Sequence, residues 1–139
     1  MLRFLLDTDH LTLFQHGHPP LLQRLAAQAP GAVGLAVVTV EESLSGRLAA
    51  LAHAPDGGAR IARYAQLLDS LQLFQQFPLV GFDQAAENYL QQLRALRLRV
   101  GTQDLKIAAI ALAKNLILVT RNRRDFGRIP GLVVDDWSV

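Results

Sequence analysis

The chain has 139 residues, half of them hydrophobic and 19% charged, with a formal net charge of +2. That length matches one domain, and the apolar share supports a sizeable core and excludes a disordered chain. The absence of cysteine excludes disulfides and thiolate metal sites and fits a reducing cytoplasm, while no apolar run reaches the roughly 20 residues of a membrane helix.

The chain opens MLRFLLDTDHL. Arg3–Asp7 predicts a short central strand, apolar on both faces. Acids break the pattern at position 7, so the opening is not read as a signal peptide. His10–His16 predicts one or two helical turns, broken by HGHPP, and Leu21–Gln28 predicts a helix ended by Ala29-Pro30-Gly31. Val33–Val38 is a second β-branched strand, and Thr39 opens a helix to about His53. The turn cluster Ala54–Gly58 follows. Arg60–Leu73 is helical by periodicity, with Ile61, Tyr64, Leu67, Leu68 and Leu71 on one stripe. Phe77–Gly81 is a third strand, and Asp83 caps a helix to about Leu98. Thr102–Lys114 is a helix, Leu116–Thr120 a fourth strand and Leu132–Val134 a fifth. Strands alternating with helices predict an α/β fold, a parallel sheet covered on both faces. Ligands of such sheets sit outside the carboxyl ends of the strands.

Acids fall at those ends. Asp7 follows the first strand, Glu42 lies three residues past AVVT, Asp104 opens TQDLKIAAIALAKN, and Asn122 and Asp125 follow LILVT. Carboxylates sharing one cleft repel each other and their pKa values rise, a penalty that a divalent cation removes. An all-oxygen set suits Mg²⁺ or Mn²⁺, and a hydrated ion of this kind can deliver water to a phosphodiester.

Each acid also has a purely structural reading. Asp7 or Asp9 can cap the turn after the strand. Thr39-Val40-Glu41-Glu42 spells a capping box, in which Glu42 bonds back to the Thr39 amide; Glu41, about 100° round the helix, faces solvent. Asp104 gains from the helix dipole, yet its helix is apolar on nearly every side from Leu105 to Ala113 and must be buried.

Twelve of the fourteen basic residues are Arg, which suits bidentate phosphate contact. Arg121, Arg123, Arg124 and Arg128 follow the fourth strand, either as a rim that draws a phosphate-rich substrate or as a solvated loop. Arg94, Arg97 and Arg99 suit a helix end. The four histidines have no HExxH spacing. His10 stands near Asp7 and can face the site, but a solvated or packed histidine is the preferred reading. Trp137 anchors the last strand, with Asp135 and Asp136 facing solvent.

LLDTDHL, then VVTVEESLSG, then GTQDLKIAAIALAKNLILVTRNRRDFGRIPGLVVDDW resemble a PIN domain of the VapC toxin type. FPLVGFDQAAENYLQQL matches the strand and helix usual before the third acid, so the likeness spans nearly the whole chain as a single domain, 1–139. The resemblance implies a three-layer α/β/α sandwich with a mostly parallel central sheet. It implies a Mg²⁺- or Mn²⁺-dependent endoribonuclease that cleaves RNA by metal-activated water, a cognate antitoxin partner, commonly a homodimer, and a cytoplasmic location. Asp7, Glu42 and Asp104 fall on the family's three main acidic positions. In this reading Asp7 and Asp104 bind the ion, Glu42 binds it through water or orients the attacking water, and Thr120 and Asn122 support the site. Arg121, Arg123 and Arg124 position the phosphate. Many members carry a fourth acid where this chain has Asn122, and Asp125 need not face the ion, so the resemblance implies one firmly held ion at most.

Two rival readings remain open. Asp7-Thr8-Asp9 resembles the DxD start of haloacid-dehalogenase phosphatases, with Asp7 as nucleophile. Leu11 stands where that motif wants Thr or Val, and the lysine it needs is supplied only by Lys106 or Lys114 in the buried helix. Alternatively Asn122 marks a decayed site, and the domain binds RNA or protein without cutting. Leu44–Leu51 and Arg60–Leu73 are the candidate dimer or partner faces.

Overall fold

The structure, a computed structural model, describes residues 1–139. Five strands form one sheet: β1 (Phe4–Leu6), β2 (Val33–Ala36), β3 (Leu79–Val80), β4 (Ile117–Val119) and β5 (Val134–Asp135). Their order is β3-β2-β1-β4-β5, and every pairing is parallel. Seven helices connect them: α1 (Thr8–Gln15), α2 (Pro19–Ala26), α3 (Val37–Ala52), α4 (Gly57–Phe74), α5 (Gln84–Ala95), α6 (Thr102–Lys114) and α7 (Arg123–Phe126). This is the expected α/β sandwich, with a sheet that is wholly rather than mostly parallel.

Alternation along β1 divides the core in two. Leu5 packs with Leu118, with Ile107 and Ile110 of α6, and with Leu90 of α5. Phe4 and Leu6 face the other way, with Leu11 of α1, Leu21 of α2, Phe74 of α4 and Trp137. A strand buried on both faces is therefore apolar at every position. In β2, Gly34 pairs with Leu5. A Cβ there would stand 2.9 Å from the Pro78 carbonyl oxygen and 2.8 Å from Leu2 Cδ1, so only glycine fits.

The predicted helices form with shifted ends. Asp83 caps α5 as expected, accepting the Ala86 N–H at 3.0 Å. The fifth strand starts at Val134, two residues later than the apolar run implies, and the arginine segment after β4 contains a helical turn, α7. The stripe on α4 is largely exposed, as a candidate partner face would be: Ile61 is 75%, Tyr64 58% and Leu68 55% exposed. Only Ser70, Leu73 and Phe74 of α4 are buried.

Candidate active site

The strand order reverses at β1: β2 lies on one side and β4 on the other. A crevice at the carboxyl ends of strands flanking such a reversal is the usual ligand position in parallel sheets. Here a cleft of about 440 Å³ opens there, lined by Asp7, Glu42, Asp104, Asn122 and Arg121, and also by Thr8, Asp9 and Phe126.

Asp7 leaves β1 with its N–H bonded to the Val119 carbonyl at 3.0 Å. Its Oδ1 accepts the His10 N–H at 2.8 Å and so caps α1. Capping and cleft-lining are compatible in this residue, because the cap occupies one oxygen only. Asp7 is buried, 7% exposed.

Glu42 does not form the expected capping box. The helix α3 starts at Val37, directly after β2, with Ala36 at the cap position and no side-chain cap. Thr39 therefore lies inside the first turn, its hydroxyl buried and unpartnered. Glu42 Oε1 instead accepts the Thr8 hydroxyl at 3.1 Å. Glu41 points elsewhere, as expected, and accepts Gln103 Nε2 at 3.0 Å.

Asp104 enters from the first turn of α6. Burial raises its carboxyl above the usual range, and the negative charges of Glu42, Asp125 and Asp7 raise it further. The acids thus feel each other across one cavity. Their side chains form no ready-made three-ligand cluster. An oxygen set of this openness suits an ion that keeps several of its waters.

Asn122 caps α7: its Oδ1 accepts the Asp125 N–H at 3.1 Å, and its Nδ2 donates to Asp125 Oδ2 at 3.0 Å. Thr120 is fully buried beneath it and accepts the Asn122 N–H at 3.0 Å. Thr120 and Asp125 therefore support the cleft without lining it. Arg121 lines the cleft but is tied to Asp9, Nε to Oδ2 at 2.6 Å and Nη2 to Oδ1 at 2.9 Å. That bonding holds the guanidinium pKa above its ordinary value. Arg123 and Arg124 lie exposed on α7, outside the lining.

Thr8 as the partner of Glu42 and Asp9 as the partner of Arg121 escape a reading of the sequence, and so does the hydrogen bonding that ties down His10. This histidine is neither solvated nor merely packed. It is completely buried and bonded to Asp7. A cap at Asp7 does carry a faint signal for it, since a cap bonds the amide three residues on. Asp135 and Asp136, expected in solvent, are half-buried. Asp135 accepts the Trp137 indole N–H at 3.0 Å, and Asp136 accepts both the N–H and the hydroxyl of Ser138. Burial works to raise the Asp136 pKa, but the Ser138 bonds hold it below the usual value. Neither lysine reaches the cleft: Lys106 bonds Gln103, and Lys114 bonds Asp83.

Comparison with known proteins decides the family. Residues 5–132 match the PIN domain. The chain belongs to the PIN domain family. This PIN domain is 31% identical to the tRNA(fMet)-specific endonuclease VapC of Shigella flexneri, over 99% of this chain and 100% of that one, which places it with the VapC-type members. Its fold superposes on that of a DNA-bound VapBC from Salmonella typhimurium with a TM-score of 0.77, 26% identity and 99% of both chains covered. It superposes on VapBC-1 of nontypeable Haemophilus influenzae with a TM-score of 0.80 at 19% identity, covering 99% of this chain and 100% of that one. No helix of this PIN domain is long and apolar enough to cross a membrane.

Proposed function

We propose that this VapC-type PIN domain is an endoribonuclease, the toxin of a toxin–antitoxin pair, with residues 1–139 as one folded unit in the cytoplasm. The observation that carries the reading is the convergence of Asp7, Glu42 and Asp104 on one cleft, with Asp104 raised by burial and by its acidic neighbours. That uncompensated negative charge, on oxygen donors alone, fits Mg²⁺ or Mn²⁺. Bound there, such an ion lowers the pKa of water and neutralises charge developing on a phosphodiester.

The chain's own residues divide the remaining work. Asp7 and Asp104 would hold the ion. Glu42, fixed by Thr8, orients the attacking water. Asn122 and Thr120 keep the exit of β4 in place beside Asp7. Arg123 and Arg124 meet the backbone phosphates of the RNA, with Arg121 at the rim. Because Asn122 carries no charge, the cleft would hold one ion firmly at most. The VapBC neighbours support an antitoxin partner, and the exposed apolar side chains of α4 support a homodimer.

The test is cleavage of tRNA(fMet), the substrate named for the Shigella relative, and of total RNA. Activity is expected to require Mg²⁺ or Mn²⁺, to stop in EDTA, and to fall at least about 100-fold in Asp7→Asn, with the circular dichroism spectrum unchanged. Undiminished cleavage in both would refute the reading.

A further inference from the structure

His10 is completely buried, and the reaction proposed above gives it no task. Its two ring nitrogens have different partners. Nε2 lies 3.2 Å from the backbone nitrogen of Trp137. A backbone N–H can only donate, so Nε2 presents its lone pair and carries no proton. In the neutral ring the proton then sits on Nδ1, which lies 3.1 Å from Asp7 Oδ1. Asp136 Oδ1, which would favour a proton on Nε2, is 3.6 Å away, beyond hydrogen-bonding distance. Asp136 is already engaged by Ser138.

The same Asp7 oxygen also accepts the His10 backbone N–H at 2.8 Å. Both donors to the carboxylate thus come from one residue and fall on one oxygen. Oδ1 is saturated, and Oδ2 is left without a protein donor on a residue that lines the cleft.

We infer that His10 is a positioning residue for Asp7: locked as the Nδ1–H tautomer by the Trp137 amide, it saturates Oδ1 and so leaves Oδ2 as the oxygen that serves the cleft. The C-terminal segment, 127 residues away in sequence, thereby reaches the site through one imidazole. Second partners of this kind fix a ligand's orientation, and losing one typically costs about 10–100-fold in metal affinity or activity. The inference rests on the proposed role of Asp7, and the experiment separates the two.

Three variants dissect the ring. His10→Leu removes both functions. In His10→Asn the amide nitrogen falls near the place of Nδ1 and restores the donor to Asp7. In His10→Gln the amide oxygen falls near the place of Nε2 and restores only the acceptor for Trp137. The expected result is a kcat loss of about 30-fold in His10→Leu and His10→Gln with KM unchanged, Mn²⁺ affinity by calorimetry reduced about 10-fold, and recovery of most of both losses in His10→Asn. Nitrogen-15 NMR of the metal-free wild type should show a protonated Nδ1 and an unprotonated Nε2. A protonated Nε2, or a His10→Gln variant as active and as tight for Mn²⁺ as wild type, overturns the inference. So do equal losses in all three variants that follow thermal stability alone. If the wild type cleaves no RNA, the function proposed above fails, while the tautomer and the Mn²⁺ affinities still decide the role of His10.

Discussion

Asp9 and Arg121 stand 112 residues apart in the chain and are joined by two hydrogen bonds, Nε to Oδ2 and Nη2 to Oδ1. The pair bolts the start of α1 to the exit of β4 at the rim of the acidic cleft. Both side chains are about half exposed, so the pair adds little to stability. Its effect is electrostatic: Asp9 occupies the guanidinium that stands nearest the cleft. Asp9→Asn is expected to lower KM for RNA about 3-fold at low salt, to steepen its salt dependence and to leave the melting temperature nearly unchanged. Fluorescence anisotropy with labelled RNA across a salt series checks this.

Asp104 supplies a pH dependence. Its folded-state pKa is raised above the ordinary 3.8, so between the two values the folded protein holds more protons than the unfolded chain. Stability of the metal-free protein is therefore highest below pH 3.8 as far as this group is concerned, and it falls as pH rises through the raised value. Above the raised value the whole penalty is present. Asp104→Asn removes it and is expected to raise the metal-free melting temperature at pH 7.5 by about 2–3 °C, with the gain vanishing near pH 4. The same variant should lose RNA cleavage. Differential scanning calorimetry over pH 4–8 tests the sign.

Thr8 holds Glu42 at 3.1 Å. Thr8→Val keeps the shape and removes the hydroxyl. If Glu42 must be oriented to act, kcat falls about 10-fold while KM and urea stability change little. An unchanged kcat would show that Glu42 needs no anchor.

Asn122 caps α7 at the edge of the cleft. Its Nδ2 donates to Asp125 Oδ2 at 3.0 Å. In Asn122→Asp that donor becomes an acceptor and two carboxylates face each other. The metal-free variant is expected to lose about 1–2 kcal/mol and to recover it in millimolar Mn²⁺. Urea titrations with and without Mn²⁺ measure both.

Gly34 of β2 lies against Pro78, the residue just before β3. Gly34→Ala places a methyl 2.9 Å from the Pro78 carbonyl oxygen, and neither backbone can retreat without breaking the ladder. A loss of about 1–3 kcal/mol is expected in urea unfolding.

The sequence was legible where the physics is local. Continuous apolar runs at β1, β2 and β4 mark strands buried on both faces, and 3.6-residue periodicity marks helices between them. These elements force a parallel sheet, and parallel connections carry the strand ends, with Asp7, Glu42 and Asn122, to one edge. Local rules misled at one point. The spacing of Thr39 and Glu42 fits a capping box, but β2 gives way to helix without a turn residue, so Thr39 is already inside α3. The apolar stripe of α4 faces outward, in keeping with a partner face, since periodicity reports amphipathicity and not which surface covers it.

The sequence by itself therefore determined the strand–helix alternation and the three acids at its edge. Only the tertiary structure decided the partners: Thr8 with Glu42, Asp9 with Arg121, and His10 between Asp7 and Trp137. The last two depend on β4 lying beside β1 and β5 beyond it. A hydrogen bond acts only over about 3 Å, and strand order, not distance along the chain, sets which side chains come that close.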